Sequence, residues 1–398
     1  MKLDENWQAA FDIIQSLEKF GYEAVIVGGA VRDYLRGQLA NDVDVATSAL
    51  PEEVKTVFSR TADVGIAHGT VLVIHSLSPV EVTTYRTEGE YADHRRPNDV
   101  QFVRSLEEDL KRRDFTINAM AMRGSKEIVD LFGGQSDLSS QIIRAVGNAS
   151  SRFSEDALRM LRAIRFSAQL GFAIEEETFK AIRNQAEDIG FIAKERIKVE
   201  FDKVWTSSNV QKAIRYVNDT RLVDHLPGDF SKHVEYWRTF ESFGNPVNGW
   251  AFFILLQQDE NAVQLLNTFN CSNKEKNYVK QVLQAYEIRT TSGWTARDYF
   301  EFDLPILEIA NDFAVKFLHS NDDLKRSEIV QKKNTLAIQS RSEIVVNGRD
   351  LIEWSGKKSG PWLKRVIDKI VDEILLNKLV NDRQKIKDWF THESNIEK

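Results

Sequence analysis

The chain has 398 residues, of which 42% are hydrophobic and 28% charged, and its formal net charge at pH 7 is −7. This length exceeds what one hydrophobic core supports and predicts two to four domains, while the composition is that of an ordinary globular protein. The negative net charge argues against indiscriminate nucleic-acid binding. Local basic patches still permit a nucleic-acid partner, because such patches set affinity.

The N-terminal residues, the hydropathy of the chain and its cysteine content predict a cytoplasmic protein. Residues 1–6 lack the apolar stretch of a signal peptide. No uncharged segment approaches the roughly 20 residues of a membrane span, so we expect no membrane association. The single cysteine, Cys271, excludes an internal disulfide and a cysteine-based zinc site, and it predicts a buried side chain. The sequence leaves open whether the protein is a monomer or a homodimer.

The first 150 residues predict a mixed α/β region. Helical periodicity predicts a helix over Trp7–Phe20, and Pro51 predicts the first turn of a short helix. Apolar runs predict strands at Glu23–Gly28, Asp42–Ala46, Gly69–His75, Val80–Tyr85 and Val100–Val103. Ser76–Pro79 predicts a hairpin connection, and the polar segment Arg86–Pro97 predicts a mobile loop.

The pattern changes near residue 153. Apolar residues recur at helical spacing through 153–206, and residues 210–398 predict almost only helices with short breaks. Ser154, followed by Glu155 and Asp156, predicts the N-terminus of a helix with acidic residues in its first turn. An α/β region followed by a long helical region is therefore expected.

The most informative motif combines Gly28-Gly29 with Asp42-Val43-Asp44. Carboxylates at i and i+2 of a strand point to one face, and a divalent cation relieves their mutual repulsion. A Gly-Gly turn before a helix lets backbone amides approach a phosphate. Taken alone, a Gly-Gly pair is more often an ordinary turn, and a D-x-D motif is more often part of a solvated loop. Together and in this order they predict a metal–nucleotide site. Glu81 is either a third carboxylate of this site or an exposed strand residue.

Two arginines accompany this motif. Arg32, one helical turn beyond the glycines, is placed to hold a triphosphate bidentately, or it forms a surface salt bridge with a nearby acid. Lys111-Arg112-Arg113-Asp114 predicts the start of another helix, with Asp114 as its N-cap. Arg113 precedes that cap and is placed to reach a phosphate or a ribose.

Asp156 and Arg159 are predicted to be neighbours at i and i+3 of a helix. Two such residues ordinarily form an intrahelical ion pair. A carboxylate beside a guanidinium also matches cytosine and adenine, which present an amino donor beside a ring-nitrogen acceptor. Uracil and guanine present a carbonyl in place of the amino group, and this carbonyl would face the carboxylate without a hydrogen bond, so buried polar groups would lack partners. Arg162 is placed to face the same nucleotide, whereas helical spacing puts Arg165 nearly opposite Asp156.

Six motifs in this order resemble those of the class II tRNA nucleotidyltransferases, the family of CCA-adding enzymes and bacterial poly(A) polymerases. They are GGAVRD, DVD, RRDFTINA, DLFGGQSD, EDALRMLRAIRF and AKERIKVE. The length, and the motifs VNGRD and GPW near the C-terminus, resemble the compact Gram-positive bacterial type.

The resemblance implies an α+β fold with a polymerase-β-like head and an all-helical remainder. It implies a catalytic head at 1–150, a nucleotide-selecting neck at 151–210, a body at 211–300 and a tRNA-binding tail at 301–398. The implied activity is template-independent addition of C, C and A to tRNA 3′ ends from CTP and ATP, with release of pyrophosphate. The implied cofactor is Mg²⁺.

Site residues follow from the same resemblance. Asp42 and Asp44 are implied as the catalytic metal ligands. Nucleotide binding is implied for Gly29, Arg32, Arg113, Asp156, Arg159, Arg162 and Arg165. Glu195 and Arg196 are implied to brace the selecting helix, Arg86–Pro97 to be the flexible loop for terminal A addition, and the tail to grip the tRNA elbow.

Three other activities share these motifs or part of them. A poly(A) polymerase has the same head, and a CC-adding enzyme has a defective loop, whereas Asp93-His94-Arg95-Arg96 is present here and favours full CCA addition. A tRNA-binding scaffold without catalysis is the alternative of another class. It predicts a broken D-x-D, and the motif is intact in this chain.

Overall fold

The computed structural model describes residues 4–38, 40, 42–88, 100–240, 242–259, 261–318 and 324–396. The chain divides into two compact units. One comprises Met1–Pro246 with Asn267–Asn270, and the other comprises Val247–Leu266 with Cys271–Lys398. The division into four parts at residues 150, 210 and 300 stays a prediction. In the described ranges, no helix has the length and apolar character needed to cross a membrane.

A mixed β-sheet forms the centre of the first unit. The strands are β1 (Ala24–Val27), β2 (Val45–Thr47), β3 (Thr61–Gly65), β4 (Thr70–Ile74), β5 (Pro79–Thr84), β6 (Arg86–Glu88), β7 (Val100–Phe102), β8 (Met120–Arg123), β9 (Ile128–Asp130), β10 (Ile142–Ile143) and β11 (Ala173–Ile174). The sheet order is β3-β4-β5-β2-β1-β8-β9. Its neighbours are antiparallel except β2 and β5, which are parallel. Separate ribbons pair β6 with β7 and β10 with β11.

The remaining regular structure is helical. The α-helices are α1 (Glu5–Lys19), α2 (Gly29–Leu35), α3 (Pro51–Val57), α4 (Leu106–Lys111), α5 (Gly134–Ser139), α6 (Ala149–Glu155), α7 (Leu158–Leu170), α8 (Glu176–Asn184), α9 (Lys194–Trp205), α10 (Val210–Asp219), α11 (Pro246–Gln257), α12 (Leu265–Thr268), α13 (Asn273–Thr291), α14 (Ala296–Glu301), α15 (Leu304–Leu318), α16 (Arg326–Asn334), α17 (Gly348–Ser355), α18 (Trp362–Leu375) and α19 (Arg383–Ile396). Short 3₁₀ turns include Thr116–Asn118, Ala186–Phe191 and Val234–Thr239. The predicted helix at the N-terminus, the short helix at Pro51 and the β4–β5 hairpin are confirmed.

Helix α1 covers one face of the sheet. Its N-cap is Asp4, whose carboxylate accepts the backbone N–H groups of Asn6 and Trp7. The apolar face of α1 packs on alternate strand residues, among them Val45 and Val82. The buried residues of α1 are Trp7, Ala9, Ala10, Ile13, Ile14 and Leu17.

The strand that was predicted over Asp42–Ala46 begins only at Val45. The backbone before it is still extended alongside β1, because the Val27 N–H donates to the Asp44 carbonyl at 3.1 Å. Val43 and Val45 both belong to the core under α1. Asp42 and Asp44 alternate with them and lie outside this core.

The predicted helix starts near residues 111 and 154 are wrong. Helix α4 ends at Lys111, and Asp114 lies in the connection that leads to the 3₁₀ turn Thr116–Asn118. Ser154 lies inside α6, whose N-cap is Asn148, because the Asn148 side chain accepts the Ser151 N–H at 2.9 Å. Tertiary packing and an earlier cap therefore outweigh the local start signals.

Asp156 lies at the break between two helices. It is the C-cap of α6 with an extended backbone (φ −143°, ψ 103°), and α7 begins at Leu158. The prediction that Asp156 and Arg159 are helical neighbours is therefore wrong in its geometry. A single turn still connects them, since the Arg159 N–H donates to the Asp156 carbonyl at 2.9 Å.

The second unit has its own core, and the C-terminal motifs belong to it. Asn347 begins a capping box for α17, because Asp350 accepts the Asn347 N–H at 2.8 Å while Asn347 accepts the Arg349 N–H at 2.8 Å. Trp362 stacks on Phe390 with 6.5 Å between ring centroids. The buried residues of this core include Val346, Leu351, Ile370, Val371, Ile374, Leu375, Ile386 and Phe390. Cys271 is buried, as predicted.

A substitution at Gly134 tests how α5 supports the site. A Cβ there would clash with the Thr116 carbonyl oxygen and lie 2.8 Å from Met120 Cγ. We expect Gly134→Ala to lower the free energy of unfolding by about 1–3 kcal/mol, because the backbone must shift. Gly190→Ala is the control, since its Cβ would have no atom within 4 Å. Equal denaturation midpoints for the two variants would contradict this close packing.

Candidate active site

Three carboxylates converge at the end of the central strands. Parallel pairing aligns Val45 with Val82, and this register brings Glu81 beside Asp44. Asp42, Asp44 and Glu81 all line one cavity of about 470 Å³. Partial burial, and then the negative charges of Glu81 and Asp42, raise the pKa of the Asp44 carboxyl above its usual value. Burial and the neighbouring carboxylates together therefore disfavour the ionised form of Asp44, and a cation bound there would offset that cost.

The donor set suits a hard divalent cation. Carboxylate oxygens are the ligands that Mg²⁺ prefers, and Mg²⁺ sites commonly use one or two carboxylates plus water and substrate phosphates. Across the described ranges, no group of three or more histidine, cysteine or acidic side chains is arranged to hold a metal by itself. Asp42 and Asp44 therefore fit a site that is completed by water and phosphate rather than an all-protein cage.

The glycine pair is flanked by two guanidinium groups. Gly28 has φ +72°, and a Cβ there would lie 3.0 Å from Arg113 Nη1. A Cβ on Gly29 would lie 3.5 Å from Arg32 Nη2. Position 28 therefore favours glycine for two reasons. Its φ is positive, and the absence of a Cβ leaves room for the Arg113 guanidinium.

Asp109 holds Arg113 in this position. Its carboxylate accepts from Arg113 Nη2 at 3.0 Å, and from Arg112 Nε and Nη2 at 3.0 and 2.7 Å. The Asp109 side chain is only 1% exposed. Burial opposes its ionisation, but the two guanidinium groups outweigh burial and lower the pKa of Asp109.

Arg32 is anchored on two sides. It pairs with Asp33 at 2.8 Å, as the salt-bridge alternative predicted, and its Nη1 donates to Asn118 Oδ1 at 2.8 Å. The Asn118 amide also donates to Asp114 Oδ1 at 3.1 Å. Arg162 completes the network, since its Nε and Nη2 donate to Asp114 Oδ2 at 2.9 and 2.7 Å. A continuous hydrogen-bonded path therefore connects α2 with α7.

Asp114 is ionised at the centre of this path. Burial opposes its charge, yet Arg162 and the Asn118 amide lower the pKa of the Asp114 carboxyl below its usual value. The N–H of Phe115 donates to the same carboxylate at 2.8 Å. The predicted role of Asp114 as a helix N-cap is thus replaced by a tertiary role between α2 and α7.

Asp156 is held by α9. Arg196 donates to it bidentately, with Nη1–Oδ1 at 3.2 Å and Nη2–Oδ2 at 2.7 Å. The Leu158 N–H donates to Oδ1 at 3.1 Å. This contact agrees with the bracing that was predicted for Arg196. Glu195, its neighbour, instead accepts from the Asn270 amide at 2.5 Å.

Arg159 and Arg165 make different contacts on α7. Arg159 pairs with Glu155 at 2.5 Å and donates to the carbonyl oxygens of Arg152 and Arg112 at 3.1 Å. Arg165 donates to Glu200 at 2.5 Å, and its guanidinium lies 3.8 Å from the ring centroid of Phe166. Arg165 therefore lies in the buried contact with α9, and its predicted nucleotide contact stays a prediction.

Part of the loop predicted at Arg86–Pro97 is a strand, since Arg86–Glu88 pairs with Val100–Phe102. The other residues of that segment, with Asp93-His94-Arg95-Arg96, lie outside the described residues.

Comparisons with known proteins identify the family. Residues 24–144 match the model described as "Poly A polymerase head domain", 171–229 the "Probable RNA and SrmB- binding site of polymerase A", and 242–390 a model for domain 2 of tRNA nucleotidyltransferases. The chain is 42% identical to the CCA-adding enzyme of Bacillus cytotoxicus over 391 residues, which is 97% of this chain and 98% of that one. The chain belongs to the family of CCA-adding enzymes. The enzyme of Bacillus cereus is 41% identical over the same shares.

Solved structures of the family share the fold. The Bacillus stearothermophilus CCA-adding enzyme in complex with CTP matches with a TM-score of 0.88 and 35% identity, over 100% of this chain and 99% of that one. The Thermotoga maritima CCA-adding enzyme complexed with tRNA matches in fold, with a TM-score of 0.64 and 21% identity over 97% and 95%. The predicted α+β fold with its polymerase-β-like head is confirmed.

Asp109 and Asn118 were not among the site residues predicted from the sequence. Asp109 had a local signal, because it precedes Arg112 and Arg113 by three and four residues, the spacing of helical ion pairs. The contact between Asn118 and Arg32 spans 86 residues and has no local signal.

Asp109 predicts a pH-dependent stability. A carboxyl with a lowered folded-state pKa stabilises the protein above its ordinary pKa of about 3.9, and this contribution is lost as pH falls through the folded-state value. We expect Asp109→Asn to cost about 3 kcal/mol at pH 7, because two guanidinium groups lose their partner. The difference from the unchanged protein should shrink below about pH 4. Denaturant unfolding at several pH values measures this difference in the free energy of unfolding.

Glu107→Gln on the same helix is the control, because Glu107 is exposed. A destabilisation by Asp109→Asn that stays constant from pH 7 to pH 3 would show that the charge of Asp109 is not what stabilises this contact.

Proposed function

We propose that this chain adds C, C and A to the 3′ end of tRNA, using CTP and ATP and releasing pyrophosphate. The observation that supports it best is one unit in which a carboxylate cavity, a guanidinium-flanked glycine pair and an Asp156 carboxylate held by Arg196 occur together. The 35% identical enzyme that shares the fold was solved with CTP.

Asp42 and Asp44 would hold the metal, for which we propose Mg²⁺. When bound, the metal lowers the pKa of the attacking hydroxyl and neutralises charge on the phosphates. The raised pKa of Asp44 supports this assignment, because a bound cation would offset both its burial and the repulsion from Glu81 and Asp42. The position of Glu81 beside Asp44 supports its role as a third acidic neighbour.

The phosphates and sugar would be held by the backbone of Gly29 and by Arg32 and Arg113. Both guanidinium groups face the glycine pair, and both are fixed by carboxylates. A fixed guanidinium loses little side-chain entropy when a phosphate binds, so it positions the α-phosphate efficiently for in-line attack by the tRNA 3′-hydroxyl.

Base choice would be made by Asp156 and Arg159, with Arg162 and Arg165 in support. Arg159 is fixed by Glu155 and by backbone carbonyl groups, and Asp156 by Arg196. These side chains cannot rotate freely, so they present an acceptor and a donor in a defined order. Cytosine and adenine satisfy that order, whereas uracil and guanine do not. The cytoplasm, where tRNA and nucleotides meet, is the location we propose.

The metal assignment is tested at Asp42. We expect Asp42→Ala to reduce CTP incorporation more than about 100-fold, because metal chemistry supplies several kcal/mol of transition-state stabilisation. The assay uses a tRNA that lacks its 3′ CCA, with Mg²⁺ and single nucleotides. Asp63→Ala, at an exposed position of the same unit, is the control. Transfer by Asp42→Ala at the original rate would show the assignment to be wrong.

The same assay separates the related activities. Incorporation that stops after two C residues would indicate CC addition, and a long A tail would indicate a poly(A) polymerase. No incorporation under any condition would favour a tRNA-binding scaffold.

Base selection is tested at Asp156. We expect Asp156→Ala to reduce discrimination against UTP and GTP by about 10- to 100-fold, since each unmet polar group costs about 1–3 kcal/mol. The ratio of kcat/KM values for CTP and UTP measures it. Glu187→Ala, an exposed change on the adjoining 3₁₀ turn, is the control. Discrimination as sharp as that of the unchanged protein would overturn the role of Asp156.

A further inference from the structure

Asn118 connects Arg32 of α2 with Asp114, the carboxylate that α7 holds through Arg162. Its Oδ1 accepts from Arg32 Nη1 at 2.8 Å, and its Nδ2 donates to Asp114 Oδ1 at 3.1 Å. Asn118 is only 7% exposed, so both contacts are largely shielded from water. A neutral side chain therefore joins a cation on one side to an anion on the other.

An amide is the side chain that suits this position. Its oxygen accepts and its NH₂ group donates, so one neutral group satisfies a guanidinium and a carboxylate together. The reversed amide would turn its NH₂ group toward Arg32 and its oxygen toward Asp114, and neither contact would then be a hydrogen bond. An ionised carboxylate at position 118 would accept from Arg32 but repel Asp114. Position 118 therefore requires an acceptor and a donor in a fixed order.

The 3₁₀ turn that carries Asn118 is fixed by its own contacts. The Thr116 hydroxyl donates to Asp137 Oδ2 at 2.7 Å, and the Thr116 N–H donates to the Arg144 carbonyl at 2.9 Å. Thr116 and Asp137 are both buried. The Asn118 N–H also donates to the Phe115 carbonyl at 2.9 Å. Asn118 is therefore held in one place relative to the side chains that it contacts.

Arg32 keeps part of its guanidinium for a ligand. Its Nε and Nη2 donate to Asp33 at 2.9 and 2.8 Å, and its Nη1 donates to Asn118. A guanidinium has five N–H groups, so one N–H on each terminal nitrogen has no acceptor in the described part of the chain. Two such groups suffice for a bidentate contact with a phosphate. Asp33 is the next residue of the same helix, whereas Asn118 lies 86 residues away and fixes Arg32 to another element.

We propose that Asn118 is a positioning residue for the nucleotide phosphates. It sets the direction of the Arg32 guanidinium, and Asp114 sets the direction of Asn118. The negative charge of Asp114 polarises the amide that donates to it, which strengthens the bond between the Asn118 oxygen and Arg32. Because Asp114 also pairs with Arg162 at 2.7 Å, the alignment of the phosphates depends on a residue of α7. This inference rests on the proposed function, since Arg32 aligns a phosphate only if the chain binds nucleotides.

The test uses Asn118→Ala and Asn118→Asp in the whole chain, with a tRNA that lacks its CCA, Mg²⁺ and CTP. We expect Asn118→Ala to lower kcat by about 10- to 100-fold, because a hydrogen bond to a charged group is worth a factor of this size. KM for CTP should change less than about threefold, because Asp33 still holds Arg32 beside the glycine pair. Asn118→Asp should also lower kcat, since the ionised side chain keeps the contact with Arg32 but repels Asp114.

A double-mutant cycle with Arg32→Lys separates positioning from a general loss of structure. If Asn118 acts through Arg32, adding Asn118→Ala to Arg32→Lys should lower kcat further by less than about threefold. Effects of the two substitutions that multiply would overturn the proposal, as would an unchanged kcat in Asn118→Ala. If Asn118→Ala does not fold, Asn118→Ser takes its place in the cycle, because its shorter side chain cannot reach both partners.

Asn218→Ala is the matched control. The Asn218 amide donates to the carbonyl oxygens of Ile214 and Phe230 at 2.8 and 3.1 Å, both outside the proposed site. This variant should lose stability in denaturant unfolding but keep kcat for CTP. A fall in kcat equal to that of Asn118→Ala would show that lost hydrogen bonds in general, and not the direction of Arg32, lower the rate.

Failure of the proposed function is a separate result. It would appear as absent incorporation of C and A by the unchanged protein. Failure of the role of Asn118 would appear only in the variants, against an unchanged protein that incorporates both nucleotides.

Discussion

The buried charges between α2, α7 and α9 are the constraint on which the site depends. Glu200 and Arg165 are buried and Asp114 is nearly so, whereas the Arg162 side chain is 33% exposed. Buried charge is costly unless it is paired. Arg162 pairs with Asp114 at 2.7 Å, and Arg165 pairs with Glu200 at 2.5 Å. The ring of Phe166 packs among these groups, with the guanidinium carbons of Arg32, Arg162 and Arg165 at 5.4, 5.6 and 3.8 Å from its centroid. These contacts position α2, with the glycine pair at its start, against α7 within the first unit.

This arrangement explains how the two proposed tasks, phosphate binding by Arg32 and base selection next to α7, can act on one nucleotide. Arg32 faces the glycine pair and also contacts Asn118, while Arg162 lies on α7 one turn beyond Arg159. The loss of a charged member removes the main ionic partner of its neighbour, so such variants should lose stability together with activity. Conclusions about catalysis from these positions therefore need variants that keep the charge.

Patterns within the sequence predicted the elements but not their long-range pairing. Alternating valines and aspartates predicted that Asp42 and Asp44 share a face, because the side-chain period of a strand is local. The helix start at Ser154 was predicted wrongly, since Asn148 offers an equivalent cap six residues earlier. The contact between Arg196 and Asp156 spans 40 residues, and no local period encodes it; only the family resemblance indicated it.

The hydrogen bonds at Asp156 bear directly on its proposed role in base choice. A carboxylate offers about four lone-pair sites, and three donors already occupy it, two on Oδ1 and one on Oδ2. One site on Oδ2 remains, which suits a single amino donor from cytosine or adenine without displacing Arg196. The carbonyl of uracil or guanine brings no hydrogen and would face a carboxylate that Arg196 prevents from turning away. With the proposed role of Asp156, Arg196 would exclude uracil and guanine by denying Asp156 an alternative rotamer, so selectivity would come from rigidity as much as from charge.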